Sequence, residues 1–146
     1  MPAKYKRLGP FVANREDLAW AAGFADGEGS FYTLRQGWRN GKPRQTLRPR
    51  FEIGQAEPLI LEKFREIVGF GAKVNGPYGN TKEDAKREAK PQWVYYVSGF
   101  EDVQALLAML WIWLGPTKRK QAIDTLKRSG KAWDFEIDSK RVGEAS

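Results

Sequence analysis

The amino-acid sequence predicts an α+β fold in which an antiparallel sheet carries helices on one face. Three observations predict it. Two strand-like runs flank Asn40-Gly41, a dipeptide suited to the left-handed positions of a tight hairpin turn. Three other segments, 59–68, 101–114 and 117–128, repeat apolar residues at helical spacing instead. The resulting order, α-β-β-α-β-β-α-α, sets strands in consecutive pairs, which favours antiparallel pairing over crossover units. No internal repeat is visible, and 146 residues suit one domain with a sizeable core.

Each element has a local reason. Asn14 is a helix N-cap, and Glu16 and Asp17 stand in the first turn, where the helix dipole favours acids. The helix is expected over residues 15–26, with Gly27 and Gly29 ending it, and its later half (Ala19, Ala21, Ala22, Gly23, Ala25) is dominated by small residues. A strand follows over 30–36, the hairpin turn lies within 38–44, and the return strand covers 45–55. On that strand Leu47, Phe51 and Ile53 share a greasy face, while Thr46, Arg48, Arg50 and Glu52 share a polar, basic one. Pro58 suits a helix start, and residues 59–68 read as a packing helix ending at Gly69. A short strand is expected at 72–74. Residues 75–90 read as a charged loop containing Gly76, Pro77, Gly79 and Asn80. The aromatic and β-branched run 92–98 is a strand. Residues 101–114 form a helix with Val103, Leu106, Leu107 and Leu110 as its seam, so its Trp and Leu content reads as core. Gly115-Pro116 breaks it. The last helix, 117–128, turns Ala122, Ile123 and Leu126 inward and starts on Lys118, Arg119 and Lys120. The domain thus spans 14–128. Before it lies a basic segment, 1–13, expected to be flexible. After it comes a tail, 129–146, in which Trp133, Phe135 and Ile137 point to partial docking.

Composition narrows the chemistry. The chain has no Cys and no His. Disulfides, thiolate-ligated metals and His-based general-base or triad catalysis are excluded, and any metal must take oxygen ligands, which favours Mg²⁺, Mn²⁺ or Ca²⁺ over Zn²⁺. The formal charge is +7. Residues 29–50 carry Arg35, Arg39, Lys42, Arg44, Arg48 and Arg50 with no acid among them, a concentration that points to a polyanionic partner. Residues 1–10 hold no apolar signal-peptide core, and the apolar stretch at 106–114 is far short of the roughly 20 residues a spanning helix needs. A soluble, intracellular protein without a membrane partner is expected. The richness in Ala, Arg and Gly favours a GC-rich bacterial or phage gene over an AT-rich organelle.

The informative segment is 18–31, Leu-Ala-Trp-Ala-Ala-Gly-Phe-Ala-Asp-Gly-Glu-Gly-Ser-Phe. A helix rich in small residues admits a second backbone at close range. Glu28 stands just past its expected end, where the helix dipole is negative, so a carboxylate there is unfavourable unless a cation sits nearby. Helix-end carbonyls plus a carboxylate make an oxygen-rich corner of the kind a hard divalent cation takes. The plainer alternative is an ordinary helix stop with Glu28 solvated.

This segment resembles the LAGLIDADG motif of homing endonucleases. Residues 21–29 fill all nine positions, Ser30 and Phe31 continue a common extension, and Ala21 and Ala25 replace the usual larger aliphatics. The element order agrees with that family's α-β-β-α-β-β-α subunit over residues 14–128. The resemblance implies a helix–helix contact between two motif copies, lined by Ala21, Ala22, Gly23 and Phe24 with Asp26 at its end, Asp26 being mainly structural. It implies Glu28 as the metal-binding catalytic acid with the carbonyl of Gly27 as a backbone ligand. It also implies Gln55 at the end of the second strand as the residue that orients water. Lys118 would stabilise charge on the phosphate, with Arg119 or Lys120 as alternatives. Where some relatives carry an active-site arginine, this chain has Pro58-Leu59.

Only one motif is present, since Gly99-Phe100-Glu101-Asp102 starts a helix instead of ending one. A homodimer with near-palindromic half-sites follows. The implied activity is Mg²⁺-dependent hydrolysis of double-stranded DNA, with Mn²⁺ or Ca²⁺ able to replace Mg²⁺ for binding and with no small-molecule cofactor. The sheet would enter the major groove. With Phe31 inward, Ser30, Tyr32, Leu34, Gln36 and Trp38 face DNA, joined by Thr46, Arg48, Arg50 and Glu52 from the return strand. On the strand 92–98 the register is open, with Gln92, Val94 and Tyr96 on one face. Arg48 and Arg50 are the expected base readers, while Arg39, Lys42 and Arg44 at the hairpin tip are expected to touch phosphates. The alternatives are an RNA maturase or a non-cleaving DNA-binding protein of the same fold, or an unrelated basic nucleic-acid-binding module.

Overall fold

The computed structural model describes residues 14–35, 38–43, 46–71, 73–79, 81–86 and 90–131. Helix α1 (Arg15–Glu28) starts where the sequence places it, with the Asn14 side chain accepting from the Asp17 amide at 2.7 Å. It runs one half-turn further than expected. Gly27 and Glu28 are helical, and Gly29 is the C-cap, so Glu28 is the last residue of the helix and not the first beyond it. Strand β1 (Gly29–Arg35) follows directly. The two-residue strands β2 (Trp38–Arg39) and β3 (Lys42–Pro43) pair across Asn40 and Gly41, whose φ values of 54° and 75° are those a tight hairpin demands. Strand β4 is Thr46–Gln55.

Helix α2 (Pro58–Val68) has its proline in the first turn and ends at Gly69 in the left-handed conformation, φ 78°. The strand expected at 72–74 lies instead at β5 (Asn75–Tyr78), and the expected loop 75–90 also contains the short helix α3 (Lys82–Lys86). Strand β6 is Gln92–Ser98, as read from the sequence. The helix expected to reach 114 stops sooner. It comprises α4 (Phe100–Leu110) and then a 3₁₀ turn, Trp111–Trp113. Helix α5 is Pro116–Arg128, and β7 (Gly130–Lys131) pairs with Thr46–Leu47. The N-terminal segment and the tail aromatics Trp133, Phe135 and Ile137 lie outside the described residues.

The sheet order is β1-β4-β6-β5, antiparallel throughout. Phe31 faces Phe51, Ile53 faces Tyr95, and these four with Val97 are at most 2% exposed. Phe51 lies 4.8 Å from Phe31 and 5.8 Å from Phe64 of α2, ring centre to ring centre. Phe64 in turn meets Tyr95 and, from α1, Phe24. The Tyr95 hydroxyl donates to the Phe70 carbonyl at 2.5 Å, and burial pushes its pKa up, so it remains a donor. The period of two then turns Tyr32, Arg50, Glu52, Tyr96 and Ser98 to the opposite face together.

Candidate active site and nucleic-acid interface

The C-terminal end of α1 can pass straight into β1 only because residue 29 is glycine. A Cβ there would lie 2.5 Å from the Phe51 ring and 2.8 Å from the Ala25 carbonyl oxygen. That close approach puts the exposed Glu28 carboxylate at the root of β1. Gln55, at the far end of β4, donates from Nε2 to Glu28 Oε2 at 3.2 Å.

Helix α5 closes the third side. In an edge strand, alternate residues turn both backbone groups outward, where they need other partners. Gly29 and Phe31 are two such residues of β1. The Gly29 carbonyl accepts from Lys118 Nζ at 2.5 Å, and the Phe31 amide donates to Gln121 Oε1 at 2.9 Å. The same Gln121 oxygen lies 3.5 Å from Lys118 Nζ. At the helix start, Asp26 Oδ1 accepts from the Gly115 amide at 2.8 Å, a carboxylate at the positive end of α5. The structure therefore joins Gln55 to the Glu28 carboxylate and sets Lys118 on the carbonyl of the next residue, Gly29, from three separate elements.

The alternatives to Lys118 are used elsewhere. Arg119 lies 4.7 Å from the Trp111 ring centroid and donates to the Trp111 carbonyl, and Lys120 pairs with Asp124 at 2.9 Å. Gln121 carried no signal in the sequence. Its role depends on which strand edge α5 meets.

The donor set for a divalent cation is hard oxygen only, and it fits in kind. The Glu28 carboxylate is exposed and adjoins the final carbonyls of α1, Gly27 among them, which as a class lack partners within a helix. It falls short in number. Among the described residues no three acidic side chains gather to hold a metal.

The polar face of the sheet is a connected array. Arg50, on the inner strand β4, donates from Nε to Ser98 Oγ at 2.9 Å, and its guanidinium lies 4.3 Å from the Tyr96 ring centroid. Burial and the charge of Glu52 raise the pKa of the Tyr32 hydroxyl, which also meets Arg50. Leu34 pairs with Arg48, whose guanidinium lies against Gly99 at the start of α4 and within reach of the Asp102 charge. Tyr96 thus faces the same side as Arg50, which settles the register left open by the sequence. Ser98, 2% exposed, was not anticipated as part of this face. Thr46 and Lys42 are exposed, and Trp38 and Arg39 sit in the hairpin strand β2. Gln36 and Arg44 lie outside the described residues.

The residues expected at a helix–helix contact divide. Ala21 and Ala22 are fully buried in this chain's own core, which corrects that expectation: they have no surface left for a partner. Phe24 is half-buried against Trp20 and Phe64. Gly23 is exposed, as is Gly27 one turn on, and a Cβ at either would meet nothing within 4 Å. Asp26 is exposed but engaged within the chain by Gly115.

No protein-family model and no curated protein sequence matches the chain. Solved structures do. The homing endonuclease I-CvuI, in complex with its target in the presence of calcium, superposes with a TM-score of 0.59 at 24% identity, over 78% of this chain and 68% of that one. The LAGLIDADG homing endonuclease I-SmaMI, bound to cleaved DNA, gives 0.57 at 21% identity over 81% of this chain and 38% of that one. The archaeal intron-encoded homing endonuclease I-Vdi141I, complexed with DNA, gives 0.53 at 20% identity over 84% and 83%. The chain has the fold of the LAGLIDADG homing endonucleases, and the segment of its sequence that resembles their motif forms the end of α1 and the turn into β1.

Proposed function

We propose that this chain is one subunit of a homodimeric, site-specific endonuclease that hydrolyses both strands of a long, near-palindromic DNA target with a divalent cation. The observation that carries the proposal is the meeting of Glu28, Gln55 and Lys118 at one end of a basic strand face. Glu28, with the Gly27 carbonyl, is the holder of Mg²⁺. A bound Mg²⁺ supplies neutralisation of phosphate charge and acidification of a water molecule. Gln55 fixes the Glu28 carboxylate through its amide and presents its remaining polar atoms to a water. Lys118 gives two N–H groups to neutral oxygens, which leaves its third N–H and its charge for a phosphate oxygen. The outer-face residues, Arg50 foremost, read the groove, and the hairpin residues Arg39, Lys42 and Arg44 hold phosphates.

The one-motif, two-subunit reading is supported by the exposed Gly23 and Gly27, open to a second backbone. It is also supported by the extent of the likenesses: the homing endonuclease I-TnaI is matched over 92% of this chain and 100% of that one, at a TM-score of 0.53. The test is Glu28→Gln against a randomised DNA library with Mg²⁺. The variant should bind the DNA that the parent binds and cut none of it. Cutting at the parent's rate would refute the assignment.

A further inference from the structure

The polar face contains two candidate base-reading arginines, and the structure treats them differently. Arg48 is drawn toward the start of α4, against Gly99 and near the Asp102 charge. Arg50 stands on β4, between β1 and β6, in the middle of the face. Its Nε is engaged by the buried Ser98 hydroxyl and its plane lies by Tyr96. Ser98, Tyr96 and the Tyr32 hydroxyl thus restrict the side chain before any DNA arrives, so less rotamer freedom is lost on binding. With Nε occupied, the two terminal nitrogens form a donor-only fork. In the major groove guanine offers two acceptors, O6 and N7, at that spacing, whereas adenine sets an acceptor beside a donor.

Position follows from the register. Arg50 faces Tyr32, three residues along β1 from Gly29. At about 3.4 Å per residue this is roughly 10 Å from the root of the strand, where Glu28 stands. A duplex rises about 3.4 Å per base pair, so the step corresponds to about three base pairs. We propose that Arg50 reads a guanine about three base pairs outward from the phosphate that Glu28 faces, and that Ser98 and Tyr96 are positioning residues that hold its guanidinium for the contact. The inference rests on the endonuclease reading for the place of the cut, and on the open strand face for the base.

The experiment uses the full chain and a randomised duplex library in two arms, recovering bound sequences with Ca²⁺ and cut sequences with Mg²⁺. One guanine should dominate the corresponding position of each half-site by roughly 10-fold or more over other bases. Arg50→Ala should erase that preference and leave the other positions sharp. Arg50→Lys, which keeps the charge without the fork, should erase it too. Ser98→Ala should keep the guanine with a several-fold weaker preference. The inference is overturned if the parent shows no guanine there, or if Arg50→Ala lowers binding equally for every sequence, which marks a phosphate contact. A library that is bound but never cut overturns the endonuclease reading alone, because the bound arm still scores Arg50. No binding of any duplex overturns both.

Discussion

Adding one methyl group at Gly29 is the sharpest structural test of how the chain builds its site. The backbone there has φ −87°, which any residue adopts, so Gly29→Ala carries no conformational penalty. The obstacle is space. The new Cβ would stand 2.5 Å from one Phe51 ring carbon, 2.6 Å from another and 2.8 Å from the Ala25 carbonyl oxygen. The ring cannot swing away freely, because Phe51 is fully buried between Phe31 and Phe64. The carbonyl belongs to the last turn of α1 and accepts the Gly29 amide, so it cannot yield without loosening the helix end. Overpacking of this kind costs about 2 kcal/mol. For a chain of 146 residues that is a fall in Tm of about 5 to 7 °C. The strain is relieved most readily by displacing the junction of α1 and β1, and Glu28 sits on it. Cleavage should therefore fall further than stability does, while DNA binding through the strand face persists. Thermal unfolding at fixed protein concentration and single-turnover cleavage measure the two effects. A variant with unchanged Tm and the parent's cleavage rate would refute the claim that this close approach sets Glu28.

Two further substitutions separate stability from chemistry. Gln121→Leu removes the acceptor of the Phe31 amide, costing about 1 to 2 kcal/mol, and frees Lys118 to wander, so single-turnover cleavage should drop roughly 10-fold with binding nearly unchanged. Gln121→Glu restores the acceptor but pairs with the Lys118 charge. Stability should return while cleavage does not, and full cleavage by this variant would show that the charge is unused. Asp102 gives a pH test. Burial chiefly, and the charge of Glu101, raise its pKa against the opposing pull of Arg48. The folded state then holds that proton more tightly than the unfolded state, so this group's contribution falls as pH rises through the carboxylate range. Asp102→Asn should be more stable than the parent at neutral pH, with the gap closing below about pH 4. Urea unfolding at several pH values checks it, and a gap that does not vary with pH would contradict the sign.

Much of the fold was legible because its signals are local. The Asn14 cap, the Asn40-Gly41 turn, the Pro58 helix start and the strand at Gln92–Ser98 each depend on residues within a few positions of one another. The misses also have local causes. Gly27 reads as a helix stop, yet α1 continues through it to Glu28, and the cap bond to the Ala25 carbonyl is made by Gly29. The stretch after Gly69 is rich in Gly, Pro and charge, which masks β5, a strand that exists through its pairing with β6. Ala21 and Ala22 look like surface for a partner because small residues permit close approach, but the sequence does not say whose approach, and here they pack against this chain's own core.

By itself, the sequence determined the chemistry available: no His, no Cys, a basic strand face, and a motif ending in Glu28 that resembles a known family's. The resemblance pointed to Gln55 and Lys118, but tertiary structure decided how they reach the end of α1 and added Gln121. Gln55 is 27 positions away and Lys118 another 63, and each arrives through a contact no local pattern encodes: the β1–β4 register for Gln55, and the free edge of β1 for Lys118 and Gln121. The physical reason is range. Caps, turns and periodicity are satisfied within a few residues, whereas an edge strand's outward N–H and C=O groups must be met by whatever element the fold lays beside them.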